Sequence, residues 1–85
     1  MTADEVTRLI EAGLPDARVQ VSTDDETHFA AIVVSEAFEG RRPLQRHQQV
    51  YAALGPRMGH EIHALSIEAY TPGEWSARPA SRHTR

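Results

Sequence analysis

Histidine is the residue type in this chain with the clearest capacity for metal chemistry. The sequence contains five histidines and no cysteine, and imidazole is a common ligand of transition metals. The lack of cysteine excludes disulfides, thiolate zinc fingers and thiol catalysis, and it excludes a cysteine-ligated iron–sulfur cluster held by the isolated chain. The histidine nitrogens are therefore the strongest soft-metal ligands that this chain can offer.

Two histidines stand at the start of segments that are typical of β-strands. His28 opens the apolar run HFAAIVVS, and His63 lies near the start of the alternating segment IHALSIEAY. Adjacent strands lie about 4.8 Å apart, so parallel neighbours would place both imidazoles at one end of the sheet, within reach of one metal or cluster. Both also head rows of alternating apolar residues, which predicts that the rings lie at the rim of the core.

Spacing alone leaves an alternative, in which these are strand-end histidines that hydrogen-bond to backbone groups. Two ligands are also too few for a closed metal site, so a partner would have to complete the shell. We expect His47 to pack or cap within a helix, and His60 and His83 to be solvated. No phosphate-binding glycine loop, HExxH or GxSxG motif occurs, and we expect a protein without enzymatic activity.

The elements that must position these histidines follow the order α-β-β-α-β-α. Thr2 with Glu5, and Thr71 with Glu74, form capping-box patterns at two helix starts. The predicted elements are helices at residues 2–12 and 44–54, a short helix after Thr71, and strands at residues 18–22, 28–35 and 62–70. The second helix carries an apolar stripe, which comprises Leu44, His47, Val50, Tyr51 and Leu54.

The connections between these elements predict an α+β domain. The first two strands are close enough in sequence for an antiparallel hairpin, and a helix of about a dozen residues joins the second and third strands as a parallel crossover does. A three-stranded mixed sheet with its helices on one face would bury the apolar residues. We expect residues 1–75 to form this single domain and residues 76–85 to be a disordered basic tail.

The composition and the charge distribution limit the kinds of partner that the chain could bind. The chain has 85 residues, of which 40% are hydrophobic and 25% charged, which is typical of one globular domain. Residues 1–40 hold nine acids and two arginines, a balance of −7, whereas residues 41–60 hold four arginines and no acid. The basic stretch would attract phosphate or an acidic protein face, or it is simply a solvated helix face.

No apolar run is long enough to span a membrane, and the acidic N-terminus is unlike a signal peptide, so a cytoplasmic location is expected.

The residues between 38 and 75 resemble a known family. The run F-x-G-x(5)-R-H-x(2)-V-Y, formed by residues 38–51, is followed by I-H-A-L-S at residues 62–66 and T-P-x-E-W at residues 71–75. Together with HFAAIVVS, these motifs are similar to the BolA family over residues 4–75. The resemblance implies a fold like class II KH domains, although the GxxG loop of nucleic-acid-binding KH domains is replaced by Gly40-Arg41-Arg42-Pro43.

The BolA resemblance also implies a function. BolA-like proteins pair with monothiol glutaredoxins of the CGFS type, and the heterodimer holds a bridging [2Fe–2S] cluster in iron–sulfur trafficking and iron regulation. The family's ligand histidine in the I-H-A segment corresponds to His63, and His28 is the only candidate for the second ligand because the preceding loop has no cysteine. The glutaredoxin cysteine and a glutathione thiol would complete the cluster, and the chain alone is expected to be a monomer.

A second hypothesis belongs to a different class of function. Some members of the family act as transcriptional regulators through a helix-turn-helix-like segment. The corresponding basic region here is residues 41–57, with Arg41, Arg42 and Arg46 as candidate phosphate contacts. The acidic first half of the chain opposes tight DNA binding by the monomer.

Overall fold

The protein is described from a computed structural model that covers residues 1–59 and 62–78. The helices are α1 (Ala3–Gly13), α2 (Pro43–Leu54) and α3 (Pro72–Ala77), and the strands are β1 (Arg18–Thr23), β2 (His28–Val34) and β3 (Ala64–Tyr70). Single 3₁₀ turns follow β2 at Glu36–Phe38 and α2 at Gly55–Arg57. The predicted element order is therefore confirmed, with bounds shifted by one or two residues.

Local hydrogen bonds explain where α1 and α3 begin. In α1, the Thr2 hydroxyl accepts from the Glu5 backbone N–H at 3.2 Å, and the Glu5 carboxylate accepts from the Thr2 N–H at 2.8 Å. The same reciprocal pair joins Thr71 and Glu74 at the start of α3. Both capping boxes satisfy backbone donors that a helix N-terminus otherwise leaves unpaired.

The sheet is mixed, with strand order β1-β2-β3. β1 and β2 form an antiparallel hairpin in which Val21 pairs with Ala31. β2 and β3 run parallel, with His28 opposite Ala64 and Val34 opposite Tyr70. The mixed sheet inferred from the connection lengths is confirmed, and the parallel pair places the amino ends of β2 and β3 at one edge.

The core lies between helices α1 and α2 and one face of the sheet. It contains ten buried apolar residues, which are Val6, Ile10, Leu14, Phe29, Ala31, Val33, Phe38, Val50, Leu54 and Ile62. Half-buried Leu65 and Ile67 of β3 pack against this cluster. The odd-numbered side chains of β2 thus point into the core. Because side chains alternate along a strand, the even-numbered ones point to the opposite face of the sheet.

The predicted apolar stripe of α2 is only partly buried. Val50 and Leu54 are in the core, but Leu44 is 69% exposed and Tyr51 is 40% exposed. The helical spacing is therefore confirmed as a stripe that the core covers at Val50 and Leu54 and leaves exposed at Leu44 and Tyr51. Helical periodicity identifies a stripe, but the width of the stripe that neighbouring elements cover depends on the packing.

Helices α1 and α2 approach each other closely at Gly13. A Cβ atom placed on Gly13 with ideal geometry would lie 2.5 Å from the Cβ and 3.1 Å from the Cα of Ala53. Ordinary carbon–carbon contacts are about 3.5–4.0 Å. Glycine is therefore required here by the neighbouring helix, in addition to its role as the last residue of α1.

The C-terminal helix extends beyond the predicted domain end at residue 75. Trp75 is half-buried, and its ring centroid lies 5.3 Å from that of Tyr70. The guanidinium carbon of Arg78 lies 3.5 Å from the Trp75 ring centroid, a cation–π contact. Residues 76 and 77 belong to α3, and the rest of the predicted tail from residue 79 lies outside the described residues.

Within the described part of the chain, no helix has the length and apolarity needed to cross a membrane.

Candidate metal centre

The structure brings His28 and His63 together at one edge of the sheet. His28 is the first residue of β2, and His63 directly precedes β3, whose first residue Ala64 pairs with His28. The two imidazole centroids are 6.5 Å apart, and the ring planes are inclined by 34°. The predicted convergence of the two rings therefore holds, because it follows from the parallel pairing of β2 with β3.

The backbone joins the two histidine-bearing segments directly. The N–H of His63 donates to the carbonyl of Thr27 at 2.9 Å, and the N–H of Ala64 approaches the same oxygen at 3.4 Å. Ile62, immediately before His63, is fully buried in the core. These contacts fix the relative position of the two backbones while both side chains remain exposed.

His28 is oriented by a carboxylate in the β1–β2 loop. Its Nδ1 lies 2.8 Å from Oδ2 of Asp25 and 3.0 Å from the Thr27 hydroxyl. Oδ1 of Asp25 accepts from the backbone N–H groups of His28 at 2.9 Å and Thr27 at 3.0 Å. These hydrogen bonds, led by the one from the His28 backbone, hold the pKa of Asp25 well below its ordinary value. Asp25 is therefore an ionised acceptor beside the ring.

Asp25 is not among the candidate site residues that the sequence suggests. The spacing Asp25-x-x-His28 was the available signal, because an aspartate side chain readily bonds to backbone N–H groups two and three residues later. The loop also places Glu26 at a φ of 64°. This left-handed backbone conformation could not be predicted from the sequence of the loop.

The donor set fits a shared metal only with help from a second molecule. Two imidazoles on one tetrahedral ion, with metal–nitrogen bonds of about 2.0 Å, have ring centroids about 5 Å apart. The observed 6.5 Å separation is wider, so a shared metal would require the exposed His63 ring to move closer to His28. Across residues 1–59 and 62–78, no group of three or more His, Asp and Glu side chains is arranged to hold a metal ion. A metal held by the two imidazoles would therefore need further ligands.

The expectation that both rings lie at the rim of the core is wrong for His28. The core row of β2 is Phe29, Ala31 and Val33, whereas His28 begins the opposite row with exposed Ala30, and its side chain is 65% exposed. A strand that is apolar on both faces does not show from its sequence which row is buried. The His28 side chain therefore lies on the sheet face opposite the core.

Of the remaining three histidines, only His47 lies within the described residues. His47 lies half-buried on α2, as expected for a packed helix residue. His60 and His83, which were predicted to be solvated, lie outside the described residues. Ser35 lies beyond the other end of β2 and donates to Asp16 at 2.8 Å, so the structure places it away from His28.

Of the three candidate phosphate-binding arginines, one is engaged within the fold. The Arg46 side chain is 11% exposed, and it forms two bonds to the Glu74 carboxylate at 2.6 and 3.1 Å. It also donates to the carbonyls of Arg41 at 2.9 Å and Ala69 at 3.2 Å. Arg41 and Arg42 are exposed at the N-terminus of α2. The candidate nucleic-acid surface is therefore reduced to these two side chains.

Comparison with known proteins identifies the family. The sequence model described as BolA-like protein matches residues 11–74, which is most of the chain. The chain belongs to the BolA-like family. The resemblance inferred from the motifs between residues 38 and 75 is thereby confirmed.

Individual BolA-like proteins support the assignment. Human BolA-like protein 1 is 53% identical over 55 residues, which make up 65% of this chain and 40% of the human protein. The DNA-binding transcriptional regulator BolA of Haemophilus influenzae is 43% identical over 53 residues, covering 62% of this chain and 52% of that protein. The matched part of this chain thus spans about half or less of the length of these relatives.

A solved BolA structure confirms the α+β fold. The structure of a BolA protein homologue from Coxiella burnetii matches with a TM-score of 0.81 and 43% sequence identity. The match covers 89% of this chain and 97% of that chain. The three helices and three-stranded mixed sheet are therefore the BolA arrangement.

Proposed function

We propose that this BolA-like protein binds a monothiol CGFS-type glutaredoxin and contributes His63 and His28 as ligands of a bridging [2Fe–2S] cluster. The role would be in iron–sulfur trafficking or iron homeostasis, without enzymatic activity of its own. The observation that carries the proposal is the convergence of two exposed imidazoles, 6.5 Å apart, at one edge of the sheet.

The chemistry of the donor set supports a shared cluster. The chain has no cysteine, so sulfur ligands have to come from the glutaredoxin cysteine and its glutathione. Histidine ligands on one iron of a [2Fe–2S] cluster raise its reduction potential relative to all-cysteine ligation. An open site with two nitrogen donors suits a ligand shell that two molecules complete.

The residues of this chain have distinct tasks in the proposal. The bond from His63 N–H to the Thr27 carbonyl keeps the two ligand segments in register. The buried Ile62 anchors the segment that carries His63. Protons compete with metal for imidazole nitrogen, so we expect the shared cluster to be labile in acid.

Reconstitution tests the proposal. The protein, an apo monothiol CGFS glutaredoxin, glutathione, ferric iron and sulfide are combined without oxygen, and visible absorption and circular dichroism follow the cluster. We expect a spectrum that differs from that of glutaredoxin alone, and we expect His63→Ala to abolish this difference. His47→Ala, which removes a histidine outside the site, is the matched control. An unchanged cluster spectrum and lifetime in His63→Ala would show that the site is wrongly assigned.

DNA binding is the second candidate function, and it has narrower support. The Haemophilus influenzae relative is named as a DNA-binding regulator, and Arg41 and Arg42 lie exposed on an acid-free helix N-terminus. Binding to a DNA duplex should then weaken with salt, and Arg42→Ala should reduce the slope of log affinity against log salt by about 1. Arg8→Ala, at an exposed position on the acidic α1, is the control. No detectable binding at low salt would remove this candidate.

A further inference from the structure

We propose that Asp25 is a positioning residue that fixes the ring tautomer of His28, so that Nε2 keeps an unprotonated lone pair for a metal ion. The inference rests on the proposed function for the identity of that metal. It adds to that function a residue outside the ligand pair and names the nitrogen atom through which His28 binds.

The hydrogen-bond chemistry leaves one arrangement for a neutral ring. An ionised carboxylate accepts hydrogen bonds and donates none, whereas a neutral imidazole has one N–H group and one lone pair. Nδ1 of His28 lies 2.8 Å from Oδ2 of Asp25. A lone pair on Nδ1 would face this carboxylate oxygen, so Nδ1 carries the hydrogen and Nε2 the lone pair; the Thr27 hydroxyl, 3.0 Å from Nδ1, is then a second acceptor of the same N–H.

The carboxylate itself is held in place by the loop. Its Oδ1 accepts from the backbone N–H groups of Thr27 and His28 at 3.0 and 2.9 Å. One oxygen thus fixes the loop, and the other fixes the ring. Histidines that ligate metals commonly donate their second ring N–H to a carboxylate, and removal of such a partner costs about 10- to 100-fold in metal affinity.

The variant Asp25→Asn separates these two tasks. The asparagine Oδ1 can still accept from both backbone N–H groups, so the loop bonds are retained. Its Nδ2 replaces Oδ2 and is a donor, so it pairs with a lone pair on Nδ1 and moves the ring hydrogen to Nε2. The same isosteric exchange at the aspartate of the Ser-His-Asp triad leaves the geometry intact and produces the wrong histidine tautomer. Asp24→Asn, at the adjacent exposed position, is the matched control.

The first measurement uses the protein without metal. Long-range ¹H–¹⁵N correlation spectra of the full chain at a pH of about 8.5, where an ordinary imidazole is neutral, report which nitrogen of His28 carries hydrogen. We expect hydrogen on Nδ1 in the wild type and in Asp24→Asn, and on Nε2 in Asp25→Asn. Hydrogen on Nε2 of the wild type, or one tautomer shared by wild type and Asp25→Asn, would overturn the inference whether or not a cluster forms.

The second measurement uses the complex with glutaredoxin and glutathione. We expect Asp25→Asn to shorten the lifetime of the shared cluster 10- to 100-fold, with Asp24→Asn unchanged. A reversed tautomer with an undiminished lifetime would overturn the role of Asp25 toward the metal while the proposed function stands. If the wild type assembles no shared cluster, the proposed function fails, and the NMR result alone decides the tautomer assignment.

Discussion

The close contact of α1 with α2 makes Gly13→Ala the sharpest test of the packing. In an exposed helix, exchange of glycine for alanine stabilises by up to about 1 kcal/mol. Here the new Cβ would lie 2.5 Å from the Cβ of Ala53, about 1 Å inside the normal contact distance of about 3.5 Å. Helix backbones must then separate, and overpacking of this kind costs about 1–3 kcal/mol. The two effects sum to a net destabilisation of up to about 2 kcal/mol.

Thermal and urea unfolding, followed by far-ultraviolet circular dichroism, measure this effect. For a domain of this size, 1 kcal/mol corresponds to about 4–8 °C in Tm, so we expect Gly13→Ala to lower Tm by up to about 15 °C. Gly73→Ala is the matched control, because its Cβ would meet only the Thr71 hydroxyl at 4.0 Å. Its Tm should stay the same or rise.

A double variant tests the contact itself. In Gly13→Ala combined with Ala53→Gly, the Cβ of residue 53 that causes the clash is absent. If the two changes were independent, their effects on the free energy of unfolding would add. We expect the double variant to be more stable than this additive value by at least about 1 kcal/mol. Additive changes, or a rise in Tm for Gly13→Ala alone, would refute the close approach of the two helices.

Two further changes test hydrogen bonds that join elements of the fold. The Arg46 guanidinium holds the pKa of Glu74 at about 2, so Glu74 contributes stability that is fully present above its ordinary pKa of 4.5 and is lost as the pH falls toward 2. We expect Arg46→Met to flatten the dependence of the urea midpoint on pH between about 5 and 3, and an unchanged slope would contradict the pairing. Ser35 is buried and donates to Asp16 at 2.8 Å, so Ser35→Ala should cost about 1.5–3 kcal/mol in urea unfolding. Ser66→Ala, at an exposed position on the sheet face opposite the core, should cost much less; equal losses in both variants would argue against a special role for Ser35.

Connection lengths and capping patterns were sufficient to predict the fold. The helix between β2 and β3 predicted a parallel pair, and this pair alone implied that His28 and His63 share an edge. Such inferences succeed because crossover length and capping chemistry are local properties of the sequence. The confirmed family assignment rests on motifs of the same local kind.

The features that the sequence did not predict depend on contacts between distant residues. Leu44 and Tyr51 lie on the apolar stripe of α2, but α1 and the sheet cover only the part that contains Val50 and Leu54. The facing of His28 was not predictable because β2 is apolar in both of its rows. Asp25 was missed because its contact with His28 needs the conformation of the whole loop, including the positive φ of Glu26.

The parallel pairing of β2 with β3 also has a consequence for folding. The hairpin of β1 and β2 closes a short loop, but the contact of Thr27 with His63 closes a loop that contains all of α2. Such long-range closure carries a larger entropic cost and tends to form late. The two imidazoles are therefore neighbours only in the completed fold, and any ligand that requires both of them stabilises the native state by mass action.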